Sequence, residues 1–122
     1  MLHFADVDIF SALNASTEED LEAADFGIVG MSAEGVVEIY NRYESALSGL
    51  SAATVIGNHF FTAVAPCTNN YLVAQRFSDE PSLDATIDYV FTLKMRPTKV
   101  RLRLLQAPGA RRAYLLVDRV GK

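Results

Sequence analysis

The chain has 122 residues, half of them hydrophobic, enough to bury the core of one domain without disulfides or structural metal. Its one cysteine, Cys67, excludes an internal disulfide and gives no sign of an oxidising compartment. The net charge is -4, the composition excludes a disordered chain, and no apolar run approaches the roughly 20 residues that span a bilayer.

The N-terminal "MLHFADVDIFSAL" is acidic and lacks the basic region of a secretion signal, so the default location is the cytoplasm. "DVDIFSALN" reads as a weak amphipathic turn or two. "STEEDLEAAD" opens with Ser16 and places Glu19 three residues on, which predicts a capping box. The period then changes. "FGIVGMS" (Phe26 to Ser32) and "VVEIY" (Val36 to Tyr40) are strand-like runs around "AEG", a hairpin signal.

The middle is helical and broken. "NRYESALSG" predicts a helix opening at Asn41 and stopping at Gly49. "SAATVIG" and "NHFFTAV" read as two short helices divided by Gly57. A loop at Pro66-Cys67 follows, and "NYLVAQRFSDE" holds a further helix before Pro81. From Leu83 to Met95 apolar and polar residues alternate, the two-residue period of a half-buried strand. "KVRLRLLQA" and "AYLLVDRV" are strands after turns at "RPT" and "PGARR". The order predicts an α+β domain: a five-stranded antiparallel sheet with short helices on one face, the PAS architecture of many sensors.

Charge is unevenly placed. Ten of the 15 acidic residues lie in the first 44, beside one base, Arg42, whereas nine of the 11 basic residues lie from Lys94 onward. One reading is a basic face that docks an acidic partner or nucleic acid. The simpler one has the acidic segment pack over the basic strands of the same domain, with alternating arginines solvating one face. Aromatic residues do not interleave with these bases as in single-strand nucleic-acid binders.

Few residues offer chemistry. "GLSAATVIG" lacks the lysine and spacing of a phosphate loop. The two histidines, His3 and His59, are too far apart in sequence for a metal cluster. A Cys67–His59 nucleophile pair has no third group to orient the imidazole. Tyr40 ends a strand and Glu44 follows four residues later in the first turn of a helix. That spacing lets both face one cavity, although Tyr43 is also a candidate for the inward aromatic, and an acid is ordinary at a helix start.

Taken together, "VEIYNRYESALSG", "VIGNHFFTAVAPCT" and "YVFTLKMRPTKV" resemble the photoactive yellow protein family, bacterial blue-light receptors of PAS fold. The most specific match is "VIGxxFFxxVAPCT", Val55 to Thr68; "MxPTKV", Met95 to Val100, is a second. The resemblance implies one photosensor domain over residues 1–122, with an N-terminal helical cap at 1–25 and a PAS core at 26–122. It implies a signalling protein and not an enzyme.

The implied cofactor is p-coumaric acid (4-hydroxycinnamic acid), held as a thioester on Cys67. Tyr40 and Glu44 would hydrogen-bond its phenolate oxygen, with Ser48 in place of the family's usual threonine behind the tyrosine. Val29, Phe60, Ala65, Pro66, Phe91 and Met95 would line the pocket, with Phe26 beside Val29 on its strand, and the Cys67 N–H would hold the thioester carbonyl. Burial and a neighbouring anion would keep Glu44 neutral. Light would isomerise the double bond, Glu44 would pass a proton to the phenolate, and the cap would loosen.

The family's best-known members carry arginine where Leu50 stands and often tyrosine where Leu93 stands. These changes imply a mixed ground state with some protonated chromophore. Met95 keeps a side chain associated with fast return to the dark state. The implied partner is an unidentified downstream signalling protein, with no nucleic acid and no membrane, and the chain a monomer or weak dimer. The alternatives are a PAS interaction module without chromophore and, further off, a cysteine-dependent enzyme.

Overall fold

In a computed structural model, residues 1–92 and 96–119 are described; Leu93, Lys94, Met95 and residues 120–122 lie outside them. Five antiparallel strands form one sheet: β1 (Gly27–Met31), β2 (Val37–Tyr40), β3 (Leu83–Phe91), β4 (Thr98–Gln106) and β5 (Ala113–Arg119). Their spatial order is β2-β1-β5-β4-β3. The chain lays down the β1–β2 hairpin at one edge, crosses through the helices, and returns as a three-stranded meander. β1 then pairs with β5 at the sheet's centre, Gly27 opposite Val117 and Val29 opposite Leu115.

The two faces of the sheet carry separate cores. On one face Val29, Leu102, Leu104, Leu115 and Val117 pack with Val55, Phe60, Phe61 and Val73 from the helical crossover. On the other, Ile28, Leu105, Tyr114 and Leu116 pack with Leu2, Ile9, Leu13 and Leu21 of the N-terminal segment. That is why β5 is buried at almost every position rather than alternating. Ile9, Leu13 and Leu21 each contribute about 1.5–3 kcal/mol of hydrophobic burial, which holds the cap on the sheet.

The acidic N-terminal segment does pack over the basic strands. Arg103 is buried; its Nη1 donates to the carbonyl oxygens of Phe4 and Asp6, both at 2.8 Å, and it pairs with both oxygens of Asp84 at 2.9 Å. Arg101 lies over the Phe4 ring, 5.3 Å from its centroid, and pairs with Asp118. The expectation that alternating arginines solvate a face holds for Arg101, which stays exposed, and is corrected for Arg103. Arg103 is covered by the N-terminal segment and supplies donors to backbone carbonyls that no regular ladder reaches.

The first helices are α1 (Ile9–Ala15) and α2 (Glu18–Glu22). The capping box sits one residue later than the sequence predicts. Thr17 accepts from the N–H of Asp20, and the Asp20 carboxylate accepts from the N–H of Thr17. Ser16 instead donates to the carbonyl of Ala12, closing α1. The crossover holds α3 (Arg42–Ser48), α4 (Ala52–Val55), a π-helical turn at Phe60–Val64, a 3-10 turn at Pro66–Thr68 and α5 (Ala74–Asp79). The predicted alternation is present in β3 as far as Phe91; its remainder falls on residues outside those described.

Candidate functional site

The site is built around the start of α3. Asn41 caps it, and this buried amide is fully used: Oδ1 accepts from the N–H groups of Glu44 (3.2 Å) and Ile28 (2.9 Å), and Nδ2 donates to the carbonyls of Leu21 and Phe26 (both 3.0 Å). Gly49 ends the helix in the left-handed conformation, φ 78°, where a side chain would be strained. The cap and the stop fix which face of a seven-residue helix turns inward. They bury Glu44 and Ser48 against the sheet.

Glu44 is 1% exposed. Its carboxylate lies over Gly27 of β1, where an added Cβ would collide with Oε1. Glycine is therefore required at 27 for close approach, not for backbone freedom. From β5, Arg119 Nη1 donates to Glu44 Oε1 at 2.6 Å and Nη2 to Oε2 at 3.1 Å, with the arginine itself 8% exposed. Burial pushes the Glu44 carboxyl above its ordinary range, against the opposing pull of the Arg119 hydrogen bonds and charge. Burial also raises Tyr40 well above a normal phenol, and the charge of Glu44 adds to this. Tyr40 is thus a neutral hydroxyl at any ordinary pH. It shares a 2.8 Å hydrogen bond with Ser48 Oγ, which also accepts from the N–H of Leu50.

The other end of the site is the turn at Cys67. The π-helical turn places Phe60 and Phe61 inward, and Pro66, with no N–H to satisfy, opens the 3-10 turn. Cys67 is a free, partly buried thiol packed against the core that contains Val29, Tyr40, Phe60, Ala65 and Phe91. Its carbonyl is clamped: Tyr89 Oη donates to it at 2.5 Å and Asn70 Nδ2 at 3.2 Å, while Asn70 Nδ2 also reaches Tyr89 Oη at 2.6 Å. Thr68 donates back to Ala65, tightening the same turn.

The structure therefore brings Cys67, Tyr40, Val29, Phe60, Ala65 and Phe91 to one core, with Pro66 in the turn and Ser48 against Tyr40. Leu50 packs against this core as well. Phe26 does not join them. It stacks edge-on with Phe4 on the opposite face, because it is an odd number of residues from Val29 along an extended chain. Met95 and Leu93 lie outside the described residues. His59 bonds Thr62 through Nδ1 and packs edge-on against Phe61. No group of three or more acids, histidines or cysteines could hold a metal among the described residues.

Sequence reasoning missed Arg119, Asn70 and Tyr89. The parity of β5 carried a signal for Arg119: it continues the row of Leu115 and Val117, so its side chain points inward from the end of an apolar stripe.

No protein-family model matches the chain. Individual proteins do. The chain is 34% identical over 110 residues to the photoactive yellow protein of Halochromatium salexigens, covering 88% of each chain. It belongs to the photoactive yellow protein family. The protein of that name from Rhodothalassium salexigens is 32% identical over 123 residues, 98% of each chain. The photoactive yellow protein domain of the sensor histidine kinase Ppr from Rhodospirillum centenum has 36% identity and a TM-score of 0.81, covering 89% of this chain and 98% of that domain.

A PAS domain of an HTR-like protein from Haloarcula marismortui, 15% identical with a TM-score of 0.69, shares the fold alone. Fold and family agree on a PAS photosensor domain, and one of these relatives is a domain of a sensor histidine kinase. Among the described residues no helix is long and apolar enough to cross a membrane.

Proposed function

We propose that this domain is a blue-light receptor whose Cys67 carries p-coumaric acid as a thioester. The observation that carries the reading is the shared core: the only thiol packs against the same apolar cluster as Tyr40, a buried neutral hydroxyl acted on by the charge of Glu44. An aromatic acyl group with one polar end fits that donor set, since the apolar body needs an apolar lining and the phenol oxygen needs hydrogen-bond partners. When bound, the group supplies photochemical isomerisation of its double bond.

The chain supplies the rest. Cys67 Sγ holds the acyl carbon, with its own N–H toward the acyl oxygen, while the Tyr89–Asn70 clamp on its carbonyl fixes the turn. Val29, Phe60, Ala65, Pro66 and Phe91 exclude water around the ring. Tyr40 Oη, backed by Ser48, offers a donor to the phenol oxygen. Glu44 holds, and on illumination releases, a proton at its carboxyl oxygens toward that same oxygen. Its state reaches the cap because Asn41 binds the Glu44 N–H on one side and Leu21 and Phe26 on the other.

Loosening of residues 1–25 is the output, read by a downstream signalling protein. The chain turns over no substrate, contacts neither nucleic acid nor membrane, and works as a monomer or weak dimer in the cytoplasm.

The test is to supply activated p-coumaric acid to the purified protein. A covalent mass increase on Cys67, absent in Cys67→Ala, with a visible band that bleaches and recovers, supports the receptor. An unmodified, colourless Cys67 would leave a PAS interaction module instead. Leu50 offers no charge or donor over the core, so a pH titration should show protonated and ionised forms together at neutral pH; a single ionised form would reject that.

A further inference from the structure

β5 is apolar along its helix-facing row, Leu115 and Val117, until it ends on a cation. Arg119 is 8% exposed and gives two hydrogen bonds to the Glu44 carboxylate, 2.6 and 3.1 Å, across a sequence separation of 75 residues. An arginine so placed is expensive to bury unless its partner is an anion with matching geometry. The fork-to-fork contact supplies that match. Gly27 leaves the space in which it forms. The other titratable groups that act on the pair are Tyr40 from β2 and Tyr43 from α3.

We infer that Arg119 is the built-in counter-ion of Glu44: it receives the carboxylate once the proton has left, and so makes deprotonated Glu44 a charge-compensated, long-lived state of this protein. The use of this pair rests on the light-sensing reading; its existence does not. With a phenolate in the site, neutral Glu44 and Arg119 form a set with no net charge. After the Glu44 O–H bond breaks and an O–H forms at the phenol oxygen, the negative charge sits on Glu44 and the set is again neutral. Arg119 neutralises the buried negative charge in both arrangements; only its location changes. Without Arg119, the second arrangement would leave an uncompensated carboxylate in the core.

The first experiment needs no chromophore. Infrared spectra of the ligand-free protein at neutral pH, compared with Glu44→Gln to isolate the Glu44 bands, should show carboxylate and no protonated carboxyl C=O stretch. Arg119→Gln should bring that C=O stretch up, and Arg119→Lys, which keeps the charge, should not. A protonated Glu44 beside intact Arg119, or an ionised Glu44 in Arg119→Gln, overturns the proposal. In the chromophore-loaded protein, Arg119→Gln should shorten the lifetime of the bleached state on the order of tenfold, and an unchanged lifetime would again overturn it. Absence of an adduct on Cys67 would end the light-sensing reading and leave the infrared comparison to decide whether Arg119 holds Glu44 ionised.

Discussion

Asn41 Nδ2 donates to the main-chain oxygen of Leu21 at 3.0 Å, tying the cap's second helix to the residue that caps the Glu44 helix. The same amide reaches Phe26, Ile28 and Glu44. Cap, central strand and site therefore share one buried side chain. Asn41→Ala removes all four bonds and strands buried partners, so it should destabilise the fold by about 2–4 kcal/mol. Urea denaturation measures this; a change under about 0.5 kcal/mol would contradict the linkage role.

Gly27→Ala places a methyl where Glu44 Oε1 now lies. The neighbours there are a carboxylate gripped by Arg119 and the β5 residue Val117, neither free to move far. The substitution should cost about 1–3 kcal/mol and weaken the ion pair. Denaturation reports the first effect and the Glu44 infrared bands the second. A fully stable variant with unchanged bands would show that the carboxylate has room the structure does not give it.

Tyr89→Phe removes one donor from the Cys67 carbonyl and leaves Asn70 to hold it alone. Loosening of the turn should raise the rate at which a thiol reagent labels Cys67, with a stability loss of about 1 kcal/mol. An unaltered labelling rate would mean that Pro66 and the Thr68–Ala65 bond suffice to fix the turn.

The cap should respond to acid through Asp84. Arg103 holds the Asp84 carboxyl below its ordinary range, first by hydrogen bonding and then by charge. A depressed folded-state pKa gives stability that is present above the unfolded value, near 4, and is lost as pH falls through the folded one. About half of the Asp84 side chain is exposed, so solvent and salt screen the pair and the effect is modest. Protection of the amides near Phe4 and Asp6, taken against their intrinsic exchange rate at each pH, should therefore fall below about pH 4, less so in Asp84→Asn. Equal acid sensitivity in both proteins would locate the response elsewhere.

Much of this architecture is legible in the sequence because its signals are local. Asn41 and Gly49 bound α3 as their chemistry predicts, and alternation marks β3. The Cys67 turn was identifiable from Pro66 and from the resemblance of its flanks. What escaped depends on contacts between distant segments. Arg103 reads as a solvated base until the N-terminus is known to cover it. Arg119 reads the same way until β5 is seen to lie beside β1 at the sheet's centre, above Glu44. Thr17 and Ser16 are chemically near-equal caps, and only the end of α1 decides between them.

The central claim is that light absorbed at Cys67 is felt in the N-terminal cap. Hydrogen exchange of residues 2–25 in the chromophore-loaded protein, dark against continuous blue light, tests it most directly. Faster exchange in the light across α1 and α2, lost in Cys67→Ala, is the predicted result. Identical exchange in dark and light, in a protein whose visible band bleaches normally, would contradict it.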